Sequence, residues 1–132
     1  MKHVVAMAGI FLLATAAGAF AEGDAANGEQ VWKKCTACHQ IGEGAKNKVG
    51  PILTGVYGRA IGTVPDFKYS EGYVALGEQG VTWEEENLMA YLLNPKDYLK
   101  DAGVKNKSKM TYKLKKEEDR ADVIAYLKTF SE

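Results

Sequence analysis

The chain has 132 residues, 46% of them hydrophobic and 26% charged, and its 17 basic residues balance 17 acidic ones. A chain of this length supports one small domain, because two separate hydrophobic cores need more residues. The balanced charge lacks the basic excess that marks nucleic-acid-binding proteins, so we expect no nucleic-acid partner.

The first residues are typical of a secretory signal. Lys2 supplies the positive charge, residues 4–20 are almost wholly apolar or small, and Ala19-Phe20-Ala21 has the A-x-A form of a cleavage site. The apolar stretch is short for a membrane span, which needs about 20 residues, and no stop-transfer sequence follows it. We therefore predict that residues 1–21 are a cleaved secretory signal peptide; an uncleaved N-terminal anchor is the alternative.

Cleavage after Ala21 leaves residues 22–132 as a single mature domain of nearly neutral charge. His3 is lost with the signal, so the mature protein has one histidine, His39. So small a domain has a thin hydrophobic core, and a large bound cofactor would supply apolar volume that the side chains lack.

The first predicted helix runs from Asp24 to about Cys38. Asp24 is a suitable N-cap, and Gly28, Val31 and Cys35 lie near one face at helical spacing. Gly28 weakens the helix, but on this face it also allows another helix to approach closely.

The end of this helix carries Cys35-Thr36-Ala37-Cys38-His39, which reads C-x-x-C-H, the attachment signature of a c-type haem. Two thiols about one helical turn apart can both bond to the edge of one porphyrin. The imidazole that follows can reach the iron as an axial ligand. The motif therefore predicts one covalently attached haem c, bound through Cys35 and Cys38, with His39 on the iron.

Three other interpretations of this motif compete with haem attachment. A thioredoxin-like dithiol belongs in a βαβ unit, and no such pattern is visible. A zinc site needs further ligands, but the chain has no third cysteine and its other histidine lies in the predicted signal. A structural disulfide leaves His39 without a role.

Residues 40–65 are predicted to form an irregular loop, because glycine is frequent there and neither the helical nor the alternating period persists. Pro51 follows His39 closely enough for its carbonyl group to accept the imidazole N–H. Arg59 is either a solvated surface charge or a partner for buried haem propionates. Three aromatic residues that can line the same pocket come next: Phe67, Tyr69 and Tyr73.

The second strong helix is predicted to begin at Thr82, where Thr82-x-x-Glu85 forms a capping box, and to end before Pro95. Trp83 at its start is large enough to be mostly core. Residues 94–100 are expected to add one or two further helical turns. The apolar stripe of the helix consists of Leu88, Met89, Tyr91, Leu92 and Leu93.

A lysine-rich loop follows, and Met110 lies in its middle. Met89 belongs to a periodic helix, where it is expected to fill the core. Met110 has no such apolar period around it, so its thioether indicates a specific buried partner, for which the sixth position of a haem iron is suited. Residues 99–109 contain few apolar side chains, and we expect this segment to be weakly anchored.

The last predicted helix runs from about Lys116 to Phe130, with three acidic residues in its first turn. No convincing pair of strands occurs anywhere in the chain. The domain is therefore predicted to be all-α.

Several short motifs in the mature chain resemble those of the class I c-type cytochromes, most closely the cytochrome c2 group of photosynthetic bacteria, relatives of mitochondrial cytochrome c. The C-x-x-C-H pentapeptide is one of them. The others are Lys48-Val49-Gly50-Pro51, Gly58-Arg59, Thr82-Trp83, Tyr91-Leu92-Leu93-Asn94-Pro95, Lys109-Met110-Thr111 and Ile124-Ala125-Tyr126-Leu127-Lys128.

This resemblance implies a small class I cytochrome c fold wrapped around one covalent haem, in which the first and last helices cross and Gly28 faces Tyr126. It also implies an iron ligated by His39 and Met110. Around the iron, the resemblance implies that Pro51 orients His39, that Tyr91 lies near Met110, and that the haem propionates are served by Tyr69, Trp83 and Arg59.

The function implied is that of a soluble, monomeric, periplasmic one-electron carrier and not of an enzyme. Its expected partners are membrane redox complexes: a quinol–cytochrome c oxidoreductase as donor, and a photosynthetic reaction centre or terminal oxidase as acceptor. Lysines near the haem motifs would form a ring that meets acidic docking surfaces. The predicted members of this ring are Lys34, Lys48, Lys105, Lys109, Lys113 and Lys115.

Two rival functions remain at this stage. A haem enzyme or gas sensor, for example a peroxidase-like protein, would have an open iron site, and Met110 is the residue that discriminates between them. A binding module with a C-x-x-C that holds no haem is the other.

Overall fold

The computed structural model describes Gly9 and residues 22–131. The predicted signal peptide, apart from Gly9, lies outside these residues. Within them the chain forms no sheet, only an isolated antiparallel bridge between Ala60 and Thr82. The prediction of an all-α domain is confirmed. The helices are α1 (Ala25–Trp32), α2 (Glu71–Glu78), α3 (Glu85–Leu93), α4 (Pro95–Asp101) and α5 (Glu117–Lys128).

Helices α1 and α5 cross in close contact, as the resemblance implies. A Cβ atom at Gly28 would lie 2.0 Å from the carbonyl oxygen of Asp122 and 2.8 Å from the Cβ of Tyr126. The Asp24 side chain caps α1 by accepting from the backbone N–H groups of Ala26 and Asn27. The backbone N–H of Asp24 in turn donates to the carboxylate of Asp122 over 2.8 Å, which joins the start of α1 to α5.

Helix α1 is shorter than predicted, because it ends at Trp32 and not near Cys38. Beyond it the backbone tightens: the N–H of Lys34 donates to Val31 at 3.0 Å, and the N–H of Cys35 donates to Trp32 at 2.8 Å. These i→i−3 bonds continue the turn with a smaller radius than an α-helix. The two cysteines therefore lie on consecutive tight turns.

Helix α2 was not predicted from the sequence. It contains two glycines, Gly72 and Gly77, which lower helix propensity. Both are required by packing, since a Cβ at Gly72 would lie 2.2 Å from the carbonyl oxygen of Lys105, and one at Gly77 would lie 2.0 Å from that of Ile61. These close backbone contacts leave no space for a side chain at either glycine, and they also hold this short helix in place.

Helix α3 begins at Glu85, and the predicted capping box at Thr82 is wrong. The bridge to Ala60 fixes Thr82 in an extended conformation, and its hydroxyl group donates to the Glu84 carboxylate at 3.0 Å instead of capping the helix. Pro95 begins α4, as the first residue after the N-cap Asn94, whose side chain accepts from the N–H of Asp97 at 3.1 Å. Helix α4 supplies the further turns that were expected after residue 94.

The helices and the long loop enclose one core, with Ile61, Leu99 and Ile124 fully buried. Each of these residues comes from a different part of the chain, namely the loop, α4 and α5. No helix among the described residues is both long and apolar enough to cross a membrane.

Candidate haem-binding site

An apolar cavity of about 310 Å³ lies between the turn after α1, the long loop, α2, α3 and the segment around Met110. All the site residues that the sequence predicts line this one cavity: Cys35, Cys38, His39, Pro51, Arg59, Tyr69, Trp83, Tyr91 and Met110. The fold therefore brings together residues from positions 35 to 110 of the chain.

The two cysteines at the cavity wall are not joined in a disulfide; Cys35 is half-buried and Cys38 is exposed. Burial raises the pKa of the Cys35 thiol to about 11, and the neighbouring Cys38 adds to this effect. The pair is therefore not a structural disulfide, and the raised pKa of Cys35 is unlike that of the activated thiol in a redox dithiol.

The ring of His39 is held from two sides. Its Nδ1–H group donates to the carbonyl oxygen of Pro51 over 2.8 Å, so Nε2 keeps a free lone pair. A Cβ on Gly50 would lie 2.3 Å from the Cε1 atom of the ring, so the loop backbone packs directly against it. Burial lowers the pKa of His39, and the charge of Arg59 lowers it further. Metal ligation needs this neutral imidazole.

Arg59 is half-buried and only partly satisfied. Its guanidinium group donates to the carbonyl oxygens of Ile52 at 3.2 Å and Thr54 at 3.3 Å, while its buried Nε has no hydrogen-bond partner. Burial lowers the pKa of Arg59. A hydrogen-bond donor without a partner beside an apolar cavity can bind an acidic group of a bound molecule, and haem propionates are such groups.

The hydroxyl group of Tyr69 accepts from the backbone N–H of Val64 at 3.0 Å. Its own proton is therefore free for an acceptor in the cavity. The ring of Trp83 packs against that of Tyr91, with 4.7 Å between the ring centroids. These side chains give the cavity aromatic walls with polar tips.

Met110 faces the cavity, and its sulfur accepts a hydrogen bond from the hydroxyl group of Tyr91 over 3.4 Å. Burial raises the pKa of Tyr91 well above its usual range, so this tyrosine remains a donor at physiological pH. Met89 is 3% exposed within α3 and belongs to the core.

Two residues near Met110 have roles that the sequence did not indicate. The hydroxyl group of Tyr73 lies 2.9 Å from that of Tyr91 and also contacts the hydroxyl group of Ser108. The sequence predicted Tyr73 as part of the pocket wall, but not these contacts. The position of Ser108 two residues before Met110 is the only signal that pointed to it.

No group of three or more histidine, cysteine, aspartate or glutamate side chains converges anywhere in the part of the chain that the structure describes. A zinc site built on the C-x-x-C motif would need such a group. The cavity has an apolar wall, two thiols, a neutral imidazole and a thioether, and this set of groups fits a haem.

Comparison with known proteins agrees with this geometry. The family model described as cytochrome c matches residues 25–131. The chain belongs to the cytochrome c family. The fold and the family that the sequence indicated are therefore confirmed.

The chain is 52% identical over 118 residues to cytochrome c2 iso-1 of Rhodospirillum centenum, a match that covers 83% of this chain and 98% of the relative. It is 49% identical to cytochrome c2 of Rhodospirillum rubrum, with 98% of both chains covered. The solved structure of cytochrome c2 from Rhodospirillum centenum superposes with a TM-score of 0.77 at 51% identity, covering 83% of this chain and all of that one.

Membership of this family has two consequences. The chain carries one covalent haem c, for which it has two cysteines. It is an electron-transfer protein and not an enzyme.

Proposed function

We propose that this cytochrome is a periplasmic one-electron carrier of the cytochrome c2 type, in which Cys35 and Cys38 hold the haem and His39 and Met110 ligate its iron. The observation that carries the proposal is that a neutral imidazole and a thioether face one apolar cavity whose wall includes both thiols. When bound, the haem supplies an iron that cycles between Fe(II) and Fe(III).

The side chains around the iron determine which state is favoured. His39 and Met110 are both uncharged ligands, and the walls of the cavity are apolar. Neutral ligands in a buried site favour the less charged ferrous state, which gives a relatively high reduction potential. The hydrogen bond from Tyr91 to the sulfur of Met110 acts in the same direction, because it withdraws electron density from the ligand.

His39 and Met110 would both bind the iron and would leave no coordination position for a substrate. The rival function, a peroxidase-like enzyme or gas sensor, requires an open position on the iron. The contact between Tyr91 and the sulfur of Met110 supports a six-coordinate iron, because it holds the thioether at the cavity. Residues 1–21 support export to the periplasm through their sequence features.

A haemochrome spectrum and an intact mass test this proposal directly. We expect the purified protein to show the pyridine haemochrome of a c-type haem. We also expect the mass of residues 22–132 plus one haem, because both thiols are bonded to it. In a Cys35→Ser variant the covalent link through that residue is lost and the haemochrome band shifts. A mature mass without haem, or with two free thiols, would contradict the assignment.

For partners, we propose membrane redox complexes with acidic docking surfaces: a quinol–cytochrome c oxidoreductase as donor and a photosynthetic reaction centre or terminal oxidase as acceptor. Three lysines border the cavity: Lys34, Lys68 and Lys109. Three others are exposed and lie close in sequence to residues that line the cavity: Lys48, Lys113 and Lys115. Two of the predicted lysines are paired, because Lys105 forms an ion pair with Glu71 and the ammonium group of Lys34 lies 4.0 Å from the carboxylate of Asp119. The protein is proposed to act as a monomer.

We expect the second-order rate of electron transfer to an acidic partner complex to fall steeply as ionic strength rises, since salt screens the attraction. At low salt, Lys34→Gln and Lys48→Gln should each slow the reaction by about two- to fivefold, the factor typical of one exposed charge pair. Lys100→Gln, on the exposed face of α4, is the matched control. Rates that are flat with salt, or equal losses in all three variants, would contradict a lysine ring at the cavity.

A further inference from the structure

A chain of hydroxyl groups connects the sulfur of Met110 to the segment that carries it. Tyr91 donates to the sulfur at 3.4 Å, Tyr73 lies 2.9 Å from Tyr91, and Tyr73 also contacts the hydroxyl group of Ser108. Ser108 accepts from the backbone N–H of Met110 at 3.2 Å and lies 2.9 Å from its carbonyl oxygen. The chain of contacts therefore begins and ends on Met110.

The hydrogen bonds at the two ends of this chain have a fixed direction. A thioether has no proton, so the single hydroxyl proton of Tyr91 must point to the sulfur of Met110. The hydroxyl group of Ser108 donates to the carbonyl oxygen of Met110. The proton of Tyr73 then lies between its two hydroxyl neighbours, Tyr91 and Ser108. Tyr73 is therefore the residue that joins the two ends of the chain.

The same segment docks on the N-terminal end of α2 at other points. The carbonyl oxygen of Lys105 occupies the space where a Cβ of Gly72 would lie. The ammonium group of Lys109 donates to the carbonyl oxygen of Lys68 at 3.1 Å. The sequence predicts weak anchoring of residues 99–109 because apolar side chains are few, but the structure anchors the segment through polar and backbone contacts to residues 68–73.

We propose that Tyr73 and Ser108 are positioning residues that hold Met110 on the haem iron, Ser108 by fixing the segment and Tyr73 by joining it to Tyr91 and α2. The inference rests on the proposed function, because it takes Met110 as an iron ligand. Tyr73 is 8% exposed and its contact to Ser108 spans 35 residues of chain, so this hydroxyl pair adds a buried side-chain link between α2 and the segment before Met110.

Removing the hydroxyl group of Tyr73 has two opposite effects on the bond between sulfur and ferric iron. It lowers the polarisation of Tyr91, which makes the sulfur a slightly better donor and strengthens the bond. It also deletes the link between the Met110 segment and α2, which weakens the bond. Polarisation changes the strength of a hydrogen bond by about 10–30%, whereas deletion removes the whole hydrogen bond. Loss of the link therefore dominates.

Imidazole titration of the ferric holoprotein tests the proposal, because imidazole binds only where Met110 has left the iron. We expect Tyr73→Phe and Ser108→Ala each to raise the imidazole affinity by about fivefold, the factor that corresponds to one neutral hydrogen bond. Because both variants delete the contact between Tyr73 and Ser108, their effects should be less than additive in the double variant.

Two further variants separate positioning from a general loss of packing. Ser108→Thr keeps a hydroxyl group and should retain an affinity close to that of the unaltered protein. Tyr57→Phe is the matched control for Tyr73→Phe, because Tyr57 is a half-buried tyrosine that packs on Lys128 outside the hydroxyl chain. Its imidazole affinity should be unchanged.

The possible results distinguish failure of the positioning roles from failure of the proposed function. If the far-red methionine–ferric band is present and both single variants leave the imidazole affinity unchanged, the positioning roles are overturned and the ligand assignment survives. Additive effects in the double variant overturn the shared contact in the same way. If the unaltered ferric protein lacks the band, Met110 is not the ligand, and the proposed function fails together with the inference built on it.

Discussion

A Met110→Ala variant is expected to lose the weak far-red absorption band of a methionine–ferric haem, whereas Met89→Leu is expected to keep it. Met110 lines the cavity and its sulfur is hydrogen-bonded by Tyr91. Met89 is buried in the core as part of α3. Only the first substitution therefore removes a thioether that lines the cavity.

The measurement is the absorption spectrum of the ferric protein, recorded beside an imidazole titration. Met110→Ala opens one coordination position, so its imidazole affinity should exceed that of Tyr73→Phe, which keeps the methionine. Met89→Leu nearly conserves side-chain volume and serves as the control for a change in core packing. Survival of the band in Met110→Ala would show that another residue holds the sixth position.

The second large effect is expected at the crossing of α1 and α5. Gly28→Ala places a methyl group 2.0 Å from the carbonyl oxygen of Asp122, and this oxygen belongs to the backbone of α5. The helices must move apart, because backbone atoms cannot rotate away as a flexible side chain can. We expect the free energy of unfolding to fall by about 2–3 kcal/mol, at the upper end of the usual cost of overpacking.

Denaturant unfolding of the ferric holoprotein, followed by tryptophan fluorescence, measures this loss. Asn27→Ala is the matched control, since it adds alanine at an exposed position of the same helix. Its free energy of unfolding should change by no more than about 0.5 kcal/mol. If Gly28→Ala is as stable as Asn27→Ala, the close approach of the two helices is not needed for stability.

The parts of the fold that the sequence predicted well are those set by local pattern. Helix α5 has three acidic residues in its first turn, and this signal lies within its own residues. Helix α2 was missed because Gly72 and Gly77 lower its helix propensity, while the contacts that require them come from Lys105 and Ile61. A local sequence pattern contains no information about backbone atoms that distant parts of the chain place against the helix.

The same distinction applies to the site. The contact between His39 and Pro51 could be predicted because only 12 residues separate them, and a short loop brings the carbonyl group back to the ring. The contact between Tyr73 and Ser108 depends on how the segment before Met110 folds over α2, which the sequence alone did not predict. The sequence therefore predicted the residues that line the cavity and the contact between His39 and Pro51, but not the contact between Tyr73 and Ser108.

The crossing of α1 and α5 also sets the order in which the molecule can be assembled. The backbone N–H of Asp24 donates to the carboxylate of Asp122 across it over a separation of 98 residues, so α1 packs against a helix that is synthesised much later. Closing so long a loop is slow compared with forming local turns. Until it closes, Cys35 and Cys38 belong to an open chain, and haem can be attached before the walls of the cavity meet. The cavity is then formed by chain that folds around a cofactor already in place.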